Sequence, residues 1–320
     1  MVKKFLRNIL ERGKIIKISF CKDLRNSKYI LQSNSNIENL EYQALLYVHS
    51  IEKGMTHEKI RYGFGKNKLE GLVNIINKYI ENNYDMNRFA IQVAIKTIES
   101  YIAFHKQNDF NVEWLEKQYE ILNKYNNNSV EVGIHEYSKN ELSIKDDFNF
   151  DEFISRRHSI RKFSKEEITE EEILRALSIA QKAPSACNRQ PIKVYYSLDS
   201  KKNELIDNLV PGNNGFKKTI NKYLIVVSDI SAFGSREINQ WYINGGIYLS
   251  FLVLALHSLG LGTCIFQWAY FKEKESQLRE IASIKDNEEV ISIVGIGKYE
   301  DKVITPIGFR KGIEEMISKF

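Results

Sequence analysis

Arg157, Ser159 and Arg161 stand at alternate positions of the run Arg157-His158-Ser159-Ile160-Arg161. In an extended stretch successive side chains point to opposite sides, so these three project together. Two guanidiniums flanking a hydroxyl suit a phosphate or another flat, electron-rich group, because each guanidinium offers a fixed fork of donors. Taken alone, such a run describes a solvated basic strand equally well. Further along comes Ala183-Pro184-Ser185-Ala186-Cys187-Asn188-Arg189-Gln190-Pro191. This reads as a turn presenting small hydroxyl and amide groups, with Pro184 and Pro191 narrowing its conformations.

Three other groups of residues carry the types that do chemistry. His49-Ser50-Ile51-Glu52-Lys53-Gly54-Met55, with His57 beyond it, brings imidazoles and a carboxylate close together in sequence. Their spacing matches no standard metal motif; a helix ending at the glycine beside satisfied polar groups accounts for them more simply. A loop reaching over a binding pocket as a lid is a third reading. Arg61-Tyr62-Gly63-Phe64-Gly65-Lys66 contains Gly-x-Gly-Lys, but the upstream glycine of a phosphate loop is missing and Asn67 replaces its hydroxyl residue. Cys21, Cys187 and Cys264 are odd in number and far apart, which argues against zinc or iron–sulfur sites and for a reducing cytoplasm. Cys187 and Cys264 read as small hydrophobes in packed turns.

The elements that must position these residues change character along the chain. From Leu40 to Tyr125 the pattern is helical throughout. Phe89, Val93, Tyr101 and His105 keep one stripe, as do Leu69, Leu72, Val73, Ile76 and Ile80, and again Trp114, Leu115, Gln118, Tyr119 and Leu122. Residues 1–130 are therefore expected to form an all-α region, and residues 131–150 a polar linker, announced by Asn126-Asn127-Asn128-Ser129. Residues 151–320 alternate between helix and strand. Thr169-Glu170-Glu171-Glu172 is a capping box opening a helix through Ile173, Leu174, Leu177 and Ala180. Strands are expected at 194–196, at 223–227 (a buried central one), near 262–266 and near 290–296. A long helix is expected from Ser235 to Leu259, and a closing helix around 312–318. The fold class is α+β, an α/β sandwich with a mixed sheet flanked by helices.

Composition narrows the class. At 320 residues with 43% hydrophobic residues and only 4 prolines, the chain has material for two packed cores and little for disordered linkers. The net charge of +5 comes from basic residues interleaved with acids, which fits a solvated surface better than nucleic-acid binding. Val2, Phe5, Leu6, Ile9 and Leu10 lie at helical spacing among Lys3, Lys4, Arg7, Arg12 and Lys14. A docked helix or frayed terminus is preferred there over a helix lying on a membrane surface. The apolar run from Ile243 to Leu259 contains Asn244, Gly245, Gly246 and His257, too short and polar to span a bilayer, and is expected to be a core helix.

The first two segments, together and in this order, resemble the nitroreductase family of FMN enzymes. Arg157-x-Ser159-x-Arg161 extends through Phe163 as that family's opening segment does. Pro184, Ser185, Asn188, Gln190 and Pro191 match its Pro-Ser-(Ser/Ala)-x-Asn-x-Gln-Pro segment. Leu259-Gly260-Leu261-Gly262-Thr263-Cys264 and Val294-Gly295-Ile296-Gly297, followed by Pro306 and Arg310, are two further marks. The resemblance covers residues 150–320. A fainter one concerns His49 to Gly54, since similar segments precede nitroreductase-like domains in some bacterial proteins.

The resemblance implies an NAD(P)H-dependent flavin oxidoreductase that passes electrons through FMN to a small-molecule acceptor or a biosynthetic intermediate. It implies a homodimer with FMN at the interface. Arg157 and Arg310 would hold the phosphate, with His158 adjacent and Ser159 assisting. Arg161 would sit by the pyrimidine side of the ring, favouring the reduced, anionic form. Ser185 and Asn188 would be supplied by the partner subunit, and Pro184, Ala186 and Gln190 belong to the same cofactor-binding set. Backbone around Phe266 and Gln267 would approach the redox-active edge, and Gly297 completes the expected set. No protein nucleophile, general acid or metal is implied. Ile192 stands where the family has an aromatic, and Gln267 and Trp268 where it often has an acid. A further polar contact falls on Asn213 or Asn214. Trp241 and Tyr242 would line a substrate pocket or cap the dimer core. The rival reading is a flavin-binding protein without turnover whose helical half docks a partner.

Overall fold

The computed structural model describes residues 13, 17, 19–30, 37–56, 60–134, 148–213, 215–268, 272–305 and 312–320. The basic amphipathic stretch at 1–12, His57, Asn214 and Arg310 lie outside the described residues. Four helices build the first half: α1 (Ile37–Met55), α2 (Lys66–Glu81), α3 (Phe89–Gln107) and α4 (Glu113–Leu122). Their apolar stripes meet in one core, in which Ala44, Ile51, Leu72, Ile76, Ile91, Ile98 and Leu115 are fully buried. Phe89, expected on the α3 stripe, opens that helix and is exposed, and Ala90 takes its place inside.

The Gly-x-Gly-Lys run is a packed turn. Gly63 and Gly65 adopt positive φ of 75° and 71°, which glycine accepts without steric penalty, and Lys66 begins α2. The turn is pinned by buried His105: its Nε2 accepts the Gly63 N–H at 3.0 Å, and its Nδ1 lies 2.9 Å from the Tyr101 carbonyl. With one nitrogen accepting, the other must carry the proton. The Tyr101 hydroxyl closes the turn by donating to the Phe64 carbonyl at 2.6 Å. Gly54, read as a helix end, lies inside the last turn of α1, where a Cβ would overlap the Phe64 ring.

The second half holds α5 (Phe150–Arg156), α6 (Glu170–Ala180), β1 (Ile192–Tyr196), α7 (Ser200–Leu209), β2 (Lys222–Asp229), α8 (Gln240–Ser258), β3 (Leu261–Gln267), α9 (Lys272–Ala282) and β4 (Glu288–Lys298). The strands form one sheet in the order β1-β2-β4-β3, and every neighbouring pair is antiparallel. A parallel contribution comes only from the bridge between Ser159 and Thr263, so the mixed character expected of the sheet rests on that contact among the described residues. Central β2 is buried along almost its whole length. Helices α6 and α8 cover one face through Ile173, Ala176, Leu252 and Leu256, and α7 and α9 cover the other through Ile206 and Leu278. The result is an α+β sandwich with a helical N-terminal region.

The Thr169 capping box is present in full, with the Thr169 hydroxyl accepting the Glu172 N–H and the Glu172 carboxylate accepting the Thr169 N–H. Helices α5, α7 and α9 carry too few apolar residues to stand out in the sequence. At 312–318, where a helix was expected, the chain makes only a short 3-10 turn, Ile313–Glu315. Its apolar residues Ile313, Met316 and Ile317 are exposed, so no packed face holds a longer helix there.

The two halves touch at named points. Tyr42 of α1 donates to Asp229 at the end of β2, at 3.2 Å. From the helical stretch 19–26, Arg25 pairs with Glu275 at 2.9 Å and Lys22 with Glu289 at 2.8 Å. Burial pushes the Asp229 carboxyl up, against hydrogen bonds from Ser231, Tyr42 and Asn287 that favour its charge. Burial also opposes ionisation of Glu275, yet Arg279 and Arg25 together outweigh it and hold that carboxyl below its ordinary range.

Candidate functional site

The arginine segment leaves the C-terminus of α5 and runs beside β3. Arg157 caps α5 in an extended conformation, the Ile160 N–H donates to the Thr263 carbonyl at 2.8 Å, and Ser159 bridges Thr263. Two glycines allow this approach. An added Cβ on Gly262 would meet Ile160 at 3.1 Å, and one on Gly297 would meet the Phe163 ring at 2.5 Å. Phe163, at 2% exposure, is thus the anchor of the segment, and Gly297 contributes room for its ring. Arg161 is exposed, while Arg157, His158 and Ser159 are half-buried. Cys264 lies beneath: burial pushes its thiol up, partly offset by the charge of Arg161.

Behind this segment His257 ties α8 to α5. Its Nε2 lies 3.1 Å from the Phe153 carbonyl and its Nδ1 3.1 Å from the Tyr299 hydroxyl. Burial lowers the pKa of His257, the Phe153 carbonyl resists that, and the charges of Arg157 and His158 add to it.

The amide loop at 185–190 is held from below by Arg189. This residue is 1% exposed, and its guanidinium donates to Glu237 at 2.9 Å, to the Ala186 carbonyl at 3.0 Å and to the Ala232 carbonyl, lying 5.1 Å over the Phe233 ring. Glu237 is held below its usual range chiefly by Arg189. The Ala186 N–H donates to Asn244 Oδ1 at 2.8 Å, and the Gln190 N–H donates to the Ser185 hydroxyl at 3.0 Å. Cys187, Asn188 and Gln190 all take positive φ near 50°, which turns the Asn188 and Gln190 side chains outward into exposure. Non-glycine residues hold such angles only where surrounding bonds over-determine them, as the Arg189 anchor does here.

The two segments are not brought together within one protomer. Ser159 lies beside Thr263, which registers across β4 with Lys222 at the start of β2. The amide loop enters β1 at Ile192, paired with Ser228 near the end of β2. Four strand spacings and six residues of strand separate them, about 19 Å laterally and about 20 Å along the strands. They occupy opposite corners of the sheet.

The remaining expected residues are placed as follows. Pro184 is exposed, and Ser185 and Ala186 are half-buried. Phe266 is buried, its ring stacked 6.0 Å from that of Phe216, whereas Gln267 is exposed. Asn213 is buried and spends its amide on Asp207 and Tyr223, so it turns no donor outward. Trp241 is buried against Phe233, and Tyr242 donates to Glu289 at 2.5 Å. Cys187 is half-buried and Cys264 buried, without disulfides. Sequence reasoning missed Arg189, Asn244 and His257 as positioning residues. The signal for the last two was present, as polar residues interrupting an apolar helix. For Arg189, flanked by polar residues, spacing carries none.

Among the described residues no group of three or more His, Cys, Asp or Glu could hold a metal ion, and no helix is long and apolar enough to cross a membrane.

Comparison with known proteins bears on residues of this site. A family profile described as the nitroreductase family matches residues 154–214, which contain both segments. Residues 154–214 are thus similar to the nitroreductase family. A protein of Archaeoglobus fulgidus named for NADH dehydrogenase/NAD(P)H nitroreductase activity is 27% identical over 150 residues, 47% of this chain and 84% of the relative. Among solved structures, one of Parabacteroides distasonis with the same naming is 21% identical, covers 53% of this chain and 96% of its own, and superposes with a TM-score of 0.47. A nitroreductase in complex with FMN from Desulfovibrio desulfuricans is 17% identical, covers 53% of this chain and 95% of its own, with a TM-score of 0.45.

Proposed function

We propose that the protein is an FMN-dependent oxidoreductase that uses NADH or NADPH to reduce a small-molecule acceptor, and that it works as a homodimer. The observation that carries this reading is the pair of donor sets. An Arg-Ser-Arg segment is held extended along β3, and a hydroxyl-and-amide loop is held outward by a buried arginine. The donor chemistry fits the group: a half-buried guanidinium and hydroxyl suit a phosphate monoester, and outward amides suit the edge of a flat heterocycle. Bound FMN would supply two-electron redox chemistry between a nicotinamide and the acceptor. The relative carrying FMN supports that assignment.

Within such a site Arg157, with Arg310, would hold the phosphate, and Ser159 would add a hydroxyl contact. His158 would lie beside them. Arg161, exposed at the end of the segment, would place fixed positive charge where negative charge develops on reduction. Pro184, Ser185, Ala186, Asn188 and Gln190 would come from the second subunit, since one protomer holds the two segments at opposite corners. Backbone at Phe266 and Gln267 would flank the reacting edge. A dimer face is available on α8, where Ile243, Ile247 and Phe251 form an exposed apolar stripe. We further read residues 1–130 as a helical unit, 131–150 as its connection and 151–320 as the nitroreductase-like domain. The three unpaired cysteines suit a reducing, cytoplasmic setting. Titrating FMN into the purified protein while following flavin fluorescence tests the reading. One saturable site per protomer supports it, and no uptake refutes it.

A further inference from the structure

A cavity of about 100 Å³ lies where the helical half meets the amide loop. Its polar lining comes from both halves: His49 and Glu52 of α1, Glu131 beyond α4, and Asn188 and Gln190 of the loop. Val48, Phe89, Val93 and Val132 supply the apolar wall. His49 and Glu52 are three residues apart on one helix and so share a face. Glu52 accepts the Gly133 N–H at 3.0 Å through one oxygen. Among the described residues, its other oxygen and the His49 imidazole take no hydrogen bond. The α1 core contacts are made instead by Leu45, Val48, Ile51 and Met55, so packing does not call for an acid and an imidazole here.

Among the described residues no lysine or arginine lines the cavity, and two carboxylates do. Its field therefore favours a cation or a group rich in donors. The volume is small, so the space suits one short substituent. Asn188 and Gln190 belong both to this cavity and to the loop assigned to the flavin, so the cavity opens at the place where an acceptor would approach. Residues 154–214, matched by the nitroreductase profile, include neither His49 nor Glu52.

We infer that this cavity is the specificity subsite for the electron acceptor, in which Glu52 and His49 receive a short amino-bearing substituent of a compact molecule. The inference rests on the functional reading above. The subsite assigns the helical half a role in choosing the substrate, through residues contributed by α1 rather than by a mobile cover.

The test uses the FMN-loaded full chain with two acceptors of one scaffold, 4-nitrobenzylamine and 4-nitrobenzoate. What is compared is the ratio of their kcat/KM values. Both acceptors draw on the same flavin, so the ratio cancels any change in flavin content or in its reduction by NAD(P)H. The expected result is a preference for the amine of about tenfold or more, equivalent to about 1.4 kcal/mol. Glu52→Gln keeps an oxygen for the Gly133 N–H while removing the charge, and should compress the ratio at least fivefold. His49→Gln, which keeps hydrogen-bonding capacity, should change it in the same direction. A ratio unmoved by either substitution overturns the subsite and leaves the flavin assignment standing. A chain that holds no reducible FMN overturns the functional reading and the subsite with it.

Discussion

Arg189 is the residue on which the amide loop depends. A guanidinium at 1% exposure is tolerated because Glu237, two backbone carbonyls and the Phe233 ring compensate its charge. Arg189→Met removes all of these and leaves Glu237 facing a vacated polar pocket. We expect a loss of about 3 kcal/mol, the low end for a broken buried pair because Glu237 keeps contact with water. Denaturant unfolding measures it, and a loss below about 1 kcal/mol would mean that the loop is held by other bonds. On the proposed phosphate assignment, Arg157→Ala combined with Arg310→Ala would remove two charge-assisted contacts of about 1.5–3 kcal/mol each and should release FMN on desalting. Retained yellow colour would reject the phosphate assignment. Arg157, Ser159 and Arg161 stand out in the sequence through their alternate spacing, which predicts a common side. Arg189 does not, because its importance comes from carbonyls of Ala186 and Ala232 that only the fold brings within reach.

At the scale of elements, the helical half is expected to lose stability in acid. Burial lowers the pKa of His105 from its ordinary 6.5, while the Tyr101 carbonyl resists the shift. A histidine with a depressed folded-state pKa contributes stability that is present above about pH 6.5 and lost as pH falls through the folded value. Protonation would place a hydrogen on Nε2 against the Gly63 N–H, so the 62–65 turn should loosen first. Protection of the Gly63 and Phe64 amides, relative to intrinsic exchange at each pH, should fall as pH drops below about 6.5, and His105→Gln should flatten that dependence; an unchanged protection profile would contradict the assignment. The long apolar stripes of α2 and α3, the capping box of α6 and the apolar β2 were legible because each has one dominant period. Helices α7 and α9 were not, since each buries few residues against one sheet face and offers no clear stripe. The reverse error occurred at 312–318, where apolar residues at helical spacing find no surface to pack on.

At the scale of the whole molecule, the sheet order decides what one protomer can do. With β3 and β1 on opposite sides of the sheet, the proposed flavin site would need two copies to bring the arginine segment and the amide loop together. Ile243→Glu with Phe251→Glu, placed on the exposed stripe of α8, should convert a dimer to a monomer and release flavin in the same step. Light scattering combined with an absorbance ratio reads both, and a monomer that keeps its flavin would contradict a shared site. The sequence motifs carried no information on this geometry, because nothing in their spacing says which edge of the sheet each segment reaches. Nor did they reveal that α1 packs against the amide loop, a contact between residues far apart in the chain. The most direct measurement is the absorption spectrum of the purified protein, recorded before and after anaerobic addition of NADH and of NADPH. The account predicts an oxidised flavin spectrum that bleaches with at least one of them. A protein that shows no flavin and takes up none, or a bound flavin that neither dinucleotide bleaches, would contradict it.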